Sequence, residues 1–493
     1  MLSIGYDIGS SSIKCCILEI ENGKVIAEDF YPADEMKINS PYPGWAEQDP
    51  NLWWENVKIL TNRLLRNNKI DSGKIVSIGI SYQMHGLVLV DKNQNVLRPS
   101  IIWCDSRAVE IGNKAFEKIG SDYCLNNLLN SPGNFTASKL RWVKENEPGV
   151  YANIYKAMLP GDFIAMKLTG EINSTISGLS EGIFWDFKNH CISKKILDQY
   201  EVDEKILPDV HPTFSVQGKI TTQVADELGL KAGTVVSYRA GDQPNNAFSL
   251  NVLDAGEVAA TAGTSGVVYG VIDKINYDKL SRVNQFAHVN YSIEDPRYGV
   301  LLCINGTGIQ NSWIRKNFAS DLSYDAINNL AGTIPIGSEG ISVIPFGNGA
   351  ERVLQNKNIQ GQILGLDFNR HTRDHLFRAV QEGIAFSFKY GVDIMKEMGL
   401  NISVIRAGKA NMFLSPVFRE TLSTVSEALI ELYDTNGAQG AARGAAYGAG
   451  YYKSFKEAFH SLNKVGEVHP KVKNVNVTLN AYNNWLNKLK LFS

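Results

Sequence analysis

Two short segments of this chain carry residue types suited to holding a polyphosphate, and they are versions of one pattern. Tyr6-Asp7-Ile8-Gly9-Ser10-Ser11-Ser12-Ile13 recurs as Ala260-Thr261-Ala262-Gly263-Thr264-Ser265-Gly266-Val267, 254 positions later in a chain of 493 residues. In each copy an apolar run ends in Gly, small hydroxyl residues follow, and a second apolar run begins, which predicts strand, tight turn, strand. Gly lets backbone approach an anion closely, Ser and Thr add short donors, and successive amides at such a tip form an anion-binding concavity. Two cradles facing each other would clamp one polyphosphate. The first copy adds an acid, Asp7, placed to hold a metal ion beside the phosphates, directly or through a water. Duplication at half-chain spacing points to nucleotide binding by two related halves.

The elements that must position these turns follow from periodicity. Residues 4–8 and 13–18 read as the first hairpin, and Asp49-Pro50 as a helix N-cap with proline at the first helical position. Trp53, Val57, Leu60 and Leu64 then give that helix one buried stripe. Val76, Ile78 and Ile80 alternate with Ser77, Gly79 and Ser81, and this strand runs into the polar loop Tyr82-Gln83-Met84-His85-Gly86. Strand ends are where α/β folds place ligands. Helical stretches are expected over 138–144 and 161–168, and a strand over 234–238 leading into Arg239-Ala240-Gly241-Asp242-Gln243-Pro244. A long helix is expected over 372–398, stopped by Gly399. Gly440, Gly444 and Gly448, flanked by Ala441 and Ala445, offer a small-residue face for close helix packing.

Composition narrows the function. At 493 residues, 44% hydrophobic and 20% charged, the chain exceeds one core and divides into two to four domains. A formal net charge of −2 supplies no polybasic surface for nucleic acid or anionic lipid. No apolar run approaches the roughly 18 residues of a membrane span. The first strand begins at Leu2, which leaves no room for a signal peptide, so the cytoplasm is the expected compartment. Cys15, Cys16, Cys104, Cys124, Cys191 and Cys303 show neither CxxC pairing nor regular spacing and read as small core residues of a reduced protein. His371 and His375 have metal-pair spacing, but the glutamate of HExxH is missing and Thr372-Arg373-Asp374 reads as a helix start.

Set beside Met84-His85-Gly86, Trp103-Cys104-Asp105-Ser106-Arg107 and Gly241-Asp242-Gln243, the two cradles make the sequence resemble the FGGY family of carbohydrate kinases. The likeness covers nearly the whole chain and includes Gly44-Trp45-Ala46-Glu47-Gln48-Asp49-Pro50. It implies an α/β fold of duplicated actin-like (ribonuclease-H-like) ATPase domains, with ATP in the interdomain cleft and sugar mainly against the first domain. The expected divisions are 1–246, carrying sugar site, first cradle and catalytic acid, 256–452 for the nucleotide, and 453–493 as an extension packed on the second domain.

The resemblance also implies roles. Phosphoryl transfer passes through a loose, charge-rich transition state, so it needs positioning, charge neutralisation and an acceptor for the alcohol proton. Asp242 resembles the family's general base and also faces Mg2+ together with Asp7. Met84 and His85 resemble the sugar-contacting pair of the xylulose-phosphorylating members, whereas glycerol-phosphorylating members carry Arg-Glu there. Gln243 is the glycerol-kinase form of its turn. Asp105 and Arg107 match a tryptophan-x-aspartate-x-arginine motif, for which sugar contact and a local salt bridge are both open. Gly9, Ser10, Ser11, Ser12 and Lys14 would surround the terminal phosphates of ATP, with Gly263 and Thr264 opposite and Gly306 and Gly308 bordering. Gly408 and Asn411 belong to the adenine stretch, which keeps one glycine where the family has three.

The expected activity is ATP- and Mg2+-dependent conversion of a ketopentose, D-xylulose, to D-xylulose 5-phosphate. Ribulose, fuculose and glycerol are alternative substrates, and an actin-like ATPase without sugar kinase activity is an alternative of another class. Sugar and ATP are the expected partners, with no nucleic acid and no membrane; pairing into a homodimer is left open.

Overall fold

The computed structural model describes all 493 residues and is built on two sheets of related topology. In the first, β1 (Leu2–Ile8), β2 (Ile13–Glu19) and β3 (Val25–Tyr31) form an antiparallel meander. On the other side of β1 lies the parallel strand β4 (Ile75–Tyr82). β5 (Phe214–Lys219) and β6 (Val235–Gly241) complete the order β5-β6-β4-β1-β2-β3, with β6 parallel to β4. The second sheet uses β7 (Val258–Ala262), β8 (Gly266–Ile272), β9 (Asn284–Ala287) and β10 (Tyr298–Ile304), then β11 (Val404–Gly408), β12 (Leu429–Tyr433) and β13 (Lys464–Val468). Its order is β9-β10-β8-β7-β11-β12-β13: β7, β8, β10 and β9 pair antiparallel, β11 and β12 continue parallel to β7, and β13 closes the edge antiparallel to β12. Both repeated segments are therefore hairpin turns at equivalent places, β1–β2 and β7–β8.

The helices follow the sequence signals closely. α1 (Pro50–Asn67) starts at Asp49, whose side chain accepts from the Asn51 amide, and buries Trp53, Val57, Leu60 and Leu64 completely or nearly so. Each such side chain contributes on the order of 1.5–3 kcal/mol by leaving water. α2 (Thr136–Asn146) and α3 (Ile176–Glu181) belong to a mainly helical region between β4 and β5, and α4 (Asp242–Ser249) springs directly from β6. α5 (Gly308–Phe318) follows β10, and α6 (Arg373–Glu397) is the long helix expected from the sequence. His375 Nδ1 accepts from the Thr372 amide at 3.2 Å and His371 Nδ1 from the Asp367 amide at 2.9 Å. The two histidines thus serve backbone donors at a helix start, and no group of three or more metal-ligating side chains occurs.

α7 (Gly437–Gly448) carries the small-residue face. Although it follows β12, it lies on the first sheet. A Cβ at Gly5 of β1 would strike the Ala438 carbonyl, and one at Gly444 would stand 2.6 Å from the Tyr238 ring of β6. Gly440 meets Ser249 of α4 at 2.7 Å in the same sense. Glycines on both partners let backbones touch, which fixes the β6–α4 corner where Asp242 sits. α8 (Val475–Leu489) packs on the second half, its Trp485 indole donating to the Val343 carbonyl at 2.8 Å.

The cysteine reading needs one correction. Cys15, Cys16 and Cys124 are buried and no disulfide forms, but Cys104 and Cys191 are exposed. Cys104 lies in the loop after Trp103 and Cys191 on a two-residue edge strand, where no second layer covers them.

Candidate active site

The two hairpin turns open on one cavity of about 610 Å³ between the sheets, lined by Asp7, Gly9, Ser10, Ser11, Ser12, Lys14, Met84, His85, Asp242, Gln243, Gly408 and Asn411. The Gly9 amide closes the first turn onto the carbonyls of Asp7 and Ser12, each at 3.2 Å. The amides of Ser10, Ser11 and Ser12, and those of Gly263, Thr264 and Ser265, donate to no carbonyl of the chain. Of these six residues Ser10, Ser11, Ser12 and Ser265 line the cavity, where N–H groups without a carbonyl partner suit phosphate oxygens. The second tip is pinned from behind: Gly308 donates to the Gly263 carbonyl at 2.8 Å and Ile309 to the Thr264 carbonyl at 3.1 Å. Gly308 therefore supports the cradle, and Gly306 lies outside the cavity with its α-carbon pressed against the Pro345 carbonyl. Gly408 ends β11 and lines the cavity, and Asn411, three residues further on, approaches the same tip: a Cβ on Gly263 would stand 3.6 Å from Asn411 Nδ2.

Asp242 occupies the first position of α4, at the carboxyl end of β6, the end of a parallel strand at which α/β folds bind ligands. Burial, reinforced by the nearby Asp7 carboxylate, pushes Asp242 up from 3.8 to about 7. Gln243 Nε2 donates to Asp242 Oδ2 at 3.0 Å and opposes that rise. Asp7 faces Lys14 across the β1–β2 register, with Nζ at 3.6 Å, and accepts from Ser81 Oγ at 2.9 Å. Two carboxylates facing one cavity with a single lysine partner leave negative charge that a cation would relieve.

Met84 and His85 close the side of the cavity that rests on the first sheet. Met84 is buried against Gly241, where a Cβ would stand 2.6 Å from its Cγ. His85 adopts φ 62°, and its ring packs edge-on to Phe135 (4.7 Å) and tilted to Phe286 (5.4 Å). Phe286 lies on β9, so the second half also shapes this wall. Burial and the neighbouring Lys139 charge lower His85 to about 3, so the ring is neutral at pH 7. Its Nδ1 stands 3.2 Å from the Glu181 carbonyl. A carbonyl only accepts, so the ring proton resides on Nδ1 and Nε2 is left as an acceptor.

Asp105 and Arg107 do not line the cavity. Both side chains are almost fully buried, and Arg107 pairs with Asp105 at 2.6 Å and with Glu47 at 2.8 Å while stacking on Trp45 at 3.6 Å. Asp105 also accepts from the Ala46 amide at 2.6 Å. Of the two options open for this motif, the structure has the salt bridge. Sequence reasoning passed over four residues here. Gln83 and Trp103 line the cavity from within motifs already singled out, and Asn284 lines it from β9. Glu181 ends α3 with one oxygen 2.6 Å from where a Gly241 Cβ would be, and burial followed by Asp242 raises it well above the carboxylate range. Gln83 and Trp103 were findable as neighbours of chosen residues; Asn284 and Glu181 are brought in by tertiary packing alone.

This cleft between duplicated sheets, with a raised aspartate between two amide cradles, has counterparts of known family. Residues 2–249 match the N-terminal domain of the FGGY family of carbohydrate kinases. The chain belongs to that family. The kinase is 29% identical over 481 residues to the xylulose kinase of Bacillus subtilis strain 168, covering 96% of this chain and 93% of that one. The fold matches that of ligand-bound xylulose kinase from Lactobacillus acidophilus (TM-score 0.90, 22% identity, 99% and 98% of the two chains covered). It equally matches Plasmodium falciparum glycerol kinase with ADP (TM-score 0.88, 20% identity, 99% and 98% covered). The actin-like duplicated fold of FGGY kinases is thus shared, and it leaves the choice of sugar to the pocket. No helix of this kinase is long and apolar enough to cross a membrane.

Proposed function

We propose that this kinase transfers the γ-phosphoryl group of ATP to the terminal hydroxyl of a ketopentose, D-xylulose, forming D-xylulose 5-phosphate, with Asp242 as general base. The observation that carries the reading is the position of Asp242: raised to about 7, between the phosphate cradles and the Met84-His85 wall, at the junction of the proposed domains 1–246 and 256–452. A base of that pKa is unprotonated in about half the molecules at neutral pH and accepts a proton with good driving force.

Each residue has a defined task. The free amides of Ser10, Ser11 and Ser12 and of Gly263, Thr264 and Ser265 grip the phosphates, Lys14 neutralises charge, and Gly408 and Asn411 border the base. Asp7 and Asp242 suit Mg2+, which needs few protein carboxylates when phosphates and waters complete its shell; bound there it would spread the charge of the β- and γ-phosphates. His85 Nε2 accepts from a sugar hydroxyl and Met84 packs on the carbon chain. Asp242 then takes the proton from the attacking hydroxyl as its oxygen approaches phosphorus. The similarity to the Bacillus subtilis xylulose kinase over nearly full length supports the sugar assignment. Gln243 and the shared fold of the glycerol kinase support a polyol as the second reading.

An ADP-release assay with D-xylulose, D-ribulose, L-fuculose and glycerol separates them. D-xylulose is expected to have the highest kcat/KM; a higher value for glycerol overturns the assignment.

A further inference from the structure

The mechanism above leaves one buried cation unused. Lys139, on α2, is fully buried, and burial drags its ammonium down to about 7 against the pull of Asp105. Asp105 is already engaged by Arg107, so no ion pair of its own explains the lysine. Its Nζ donates instead to two carbonyls, His85 at 2.8 Å and Ile102 at 3.0 Å. Those carbonyls belong to different loops. One carries Met84 and His85; the other carries Trp103, whose indole reaches Ser10 Oγ at 3.4 Å. His85 is held in the left-handed region, which a side chain other than Gly adopts only when its surroundings impose it. From the same helix, Thr136 Oγ1 donates to the next carbonyl, Gly86, at 3.4 Å.

We infer that Lys139 is a positioning residue of the sugar subsite: its ammonium bolts the Met84-His85 loop to the Trp103 loop and so sets the angle at which His85 Nε2 meets the sugar. This rests on the sugar-contacting role proposed for Met84 and His85. A hydrophobic side chain of similar length would fill the same space without the desolvation cost of a buried charge, but it would leave the His85 carbonyl without its donor, whereas the Ile102 carbonyl keeps the Asp105 amide. The ammonium is therefore retained for the two carbonyls it holds. Lys139 bonds the His85 loop directly and reaches the first cradle only through the Trp103 indole on Ser10 Oγ, so its removal acts on the sugar more than on the nucleotide.

The test compares Lys139→Met and Lys139→Gln with wild type, using the panel sugar of highest kcat/KM. The expected result is a KM for that sugar raised on the order of tenfold or more, with the KM for ATP within about twofold and both variants still unfolding cooperatively in urea. Gln, which retains an N–H donor, should fall between Met and wild type. An unchanged sugar KM, or ATP and sugar constants worsening together, overturns the inference. Failure of both variants to fold also overturns it, since Lys139 would then serve the fold as a whole. His85→Ala and Met84→Ala, run alongside, separate the two claims. If neither raises the sugar KM, the role of that loop is wrong; if they do and Lys139→Met does not, only the Lys139 assignment fails.

Discussion

Replacing Asp242 by Asn should make the free protein more stable, increasingly so as pH rises. The carboxyl ionises near 3.8 in an unfolded chain and near 7 in the fold, so the folded state holds its proton more tightly. The group's contribution is therefore most favourable below about pH 4 and is lost progressively as pH rises toward 7, beyond which it is constant. At 1.36 kcal/mol per pH unit of difference, a fully buried carboxyl would cost the wild type about 2.6 kcal/mol between pH 5 and pH 8. One edge of Asp242 opens to the cavity, and water there screens part of the effect, so roughly 1–2.5 kcal/mol is expected. Asn is neutral throughout, has the same size and still accepts from Gln243. Urea unfolding of both proteins at pH 5 and pH 8, without ligands and read by tryptophan fluorescence with equal slopes, gives the difference directly. Should the variant's advantage be the same at both pH values, the raised ionisation of Asp242, and with it the electrostatic argument for the base, is wrong.

Two further outcomes follow from the same geometry. Since the base must be unprotonated, kcat/KM for sugar should fall about tenfold per pH unit below an acid limb near 7; a profile flat from pH 8 to pH 5 would contradict this. Arg107→Ala leaves Asp105 buried without its ion-pair partner, while Glu47 keeps only Arg98, which should cost about 3–5 kcal/mol of stability, and a urea-derived loss under about 1 kcal/mol would refute the structural role given to the Asp105–Arg107 pair.

Local signals in the sequence carried far. The duplicated Gly-hydroxyl turns, the Asp49-Pro50 start of α1 and the Gly440, Gly444 and Gly448 face each state a requirement that backbone geometry meets within a few residues, and each element stands where its signal lies. What escaped depends on residues distant in the chain. Asp105 and Arg107 are identical in sequence whether they reach a ligand or each other; burial against Glu47 and Trp45 decides, and that burial comes from how the 44–50 segment folds back. The family resemblance puts Gly306 and Gly308 at the border of the nucleotide, yet the groups that approach them here are the Pro345 and Gly263 carbonyls. Lys139 and Glu181 look like ordinary helix residues until β4, α2 and α3 converge behind His85.

Proton transfer to Asp242 is the step on which the proposed catalysis depends. Steady-state kinetics of Asp242→Asn with D-xylulose and ATP, paired with calorimetric binding of each ligand, measures it. The predicted result is a kcat lowered on the order of 10² to 10⁴, with both dissociation constants within a few-fold of wild type, because Asn keeps the shape and the hydrogen bond but cannot take the proton. Near-full kcat in Asp242→Asn, with activity lost instead in Asp7→Asn, would contradict the account and move the base to Asp7.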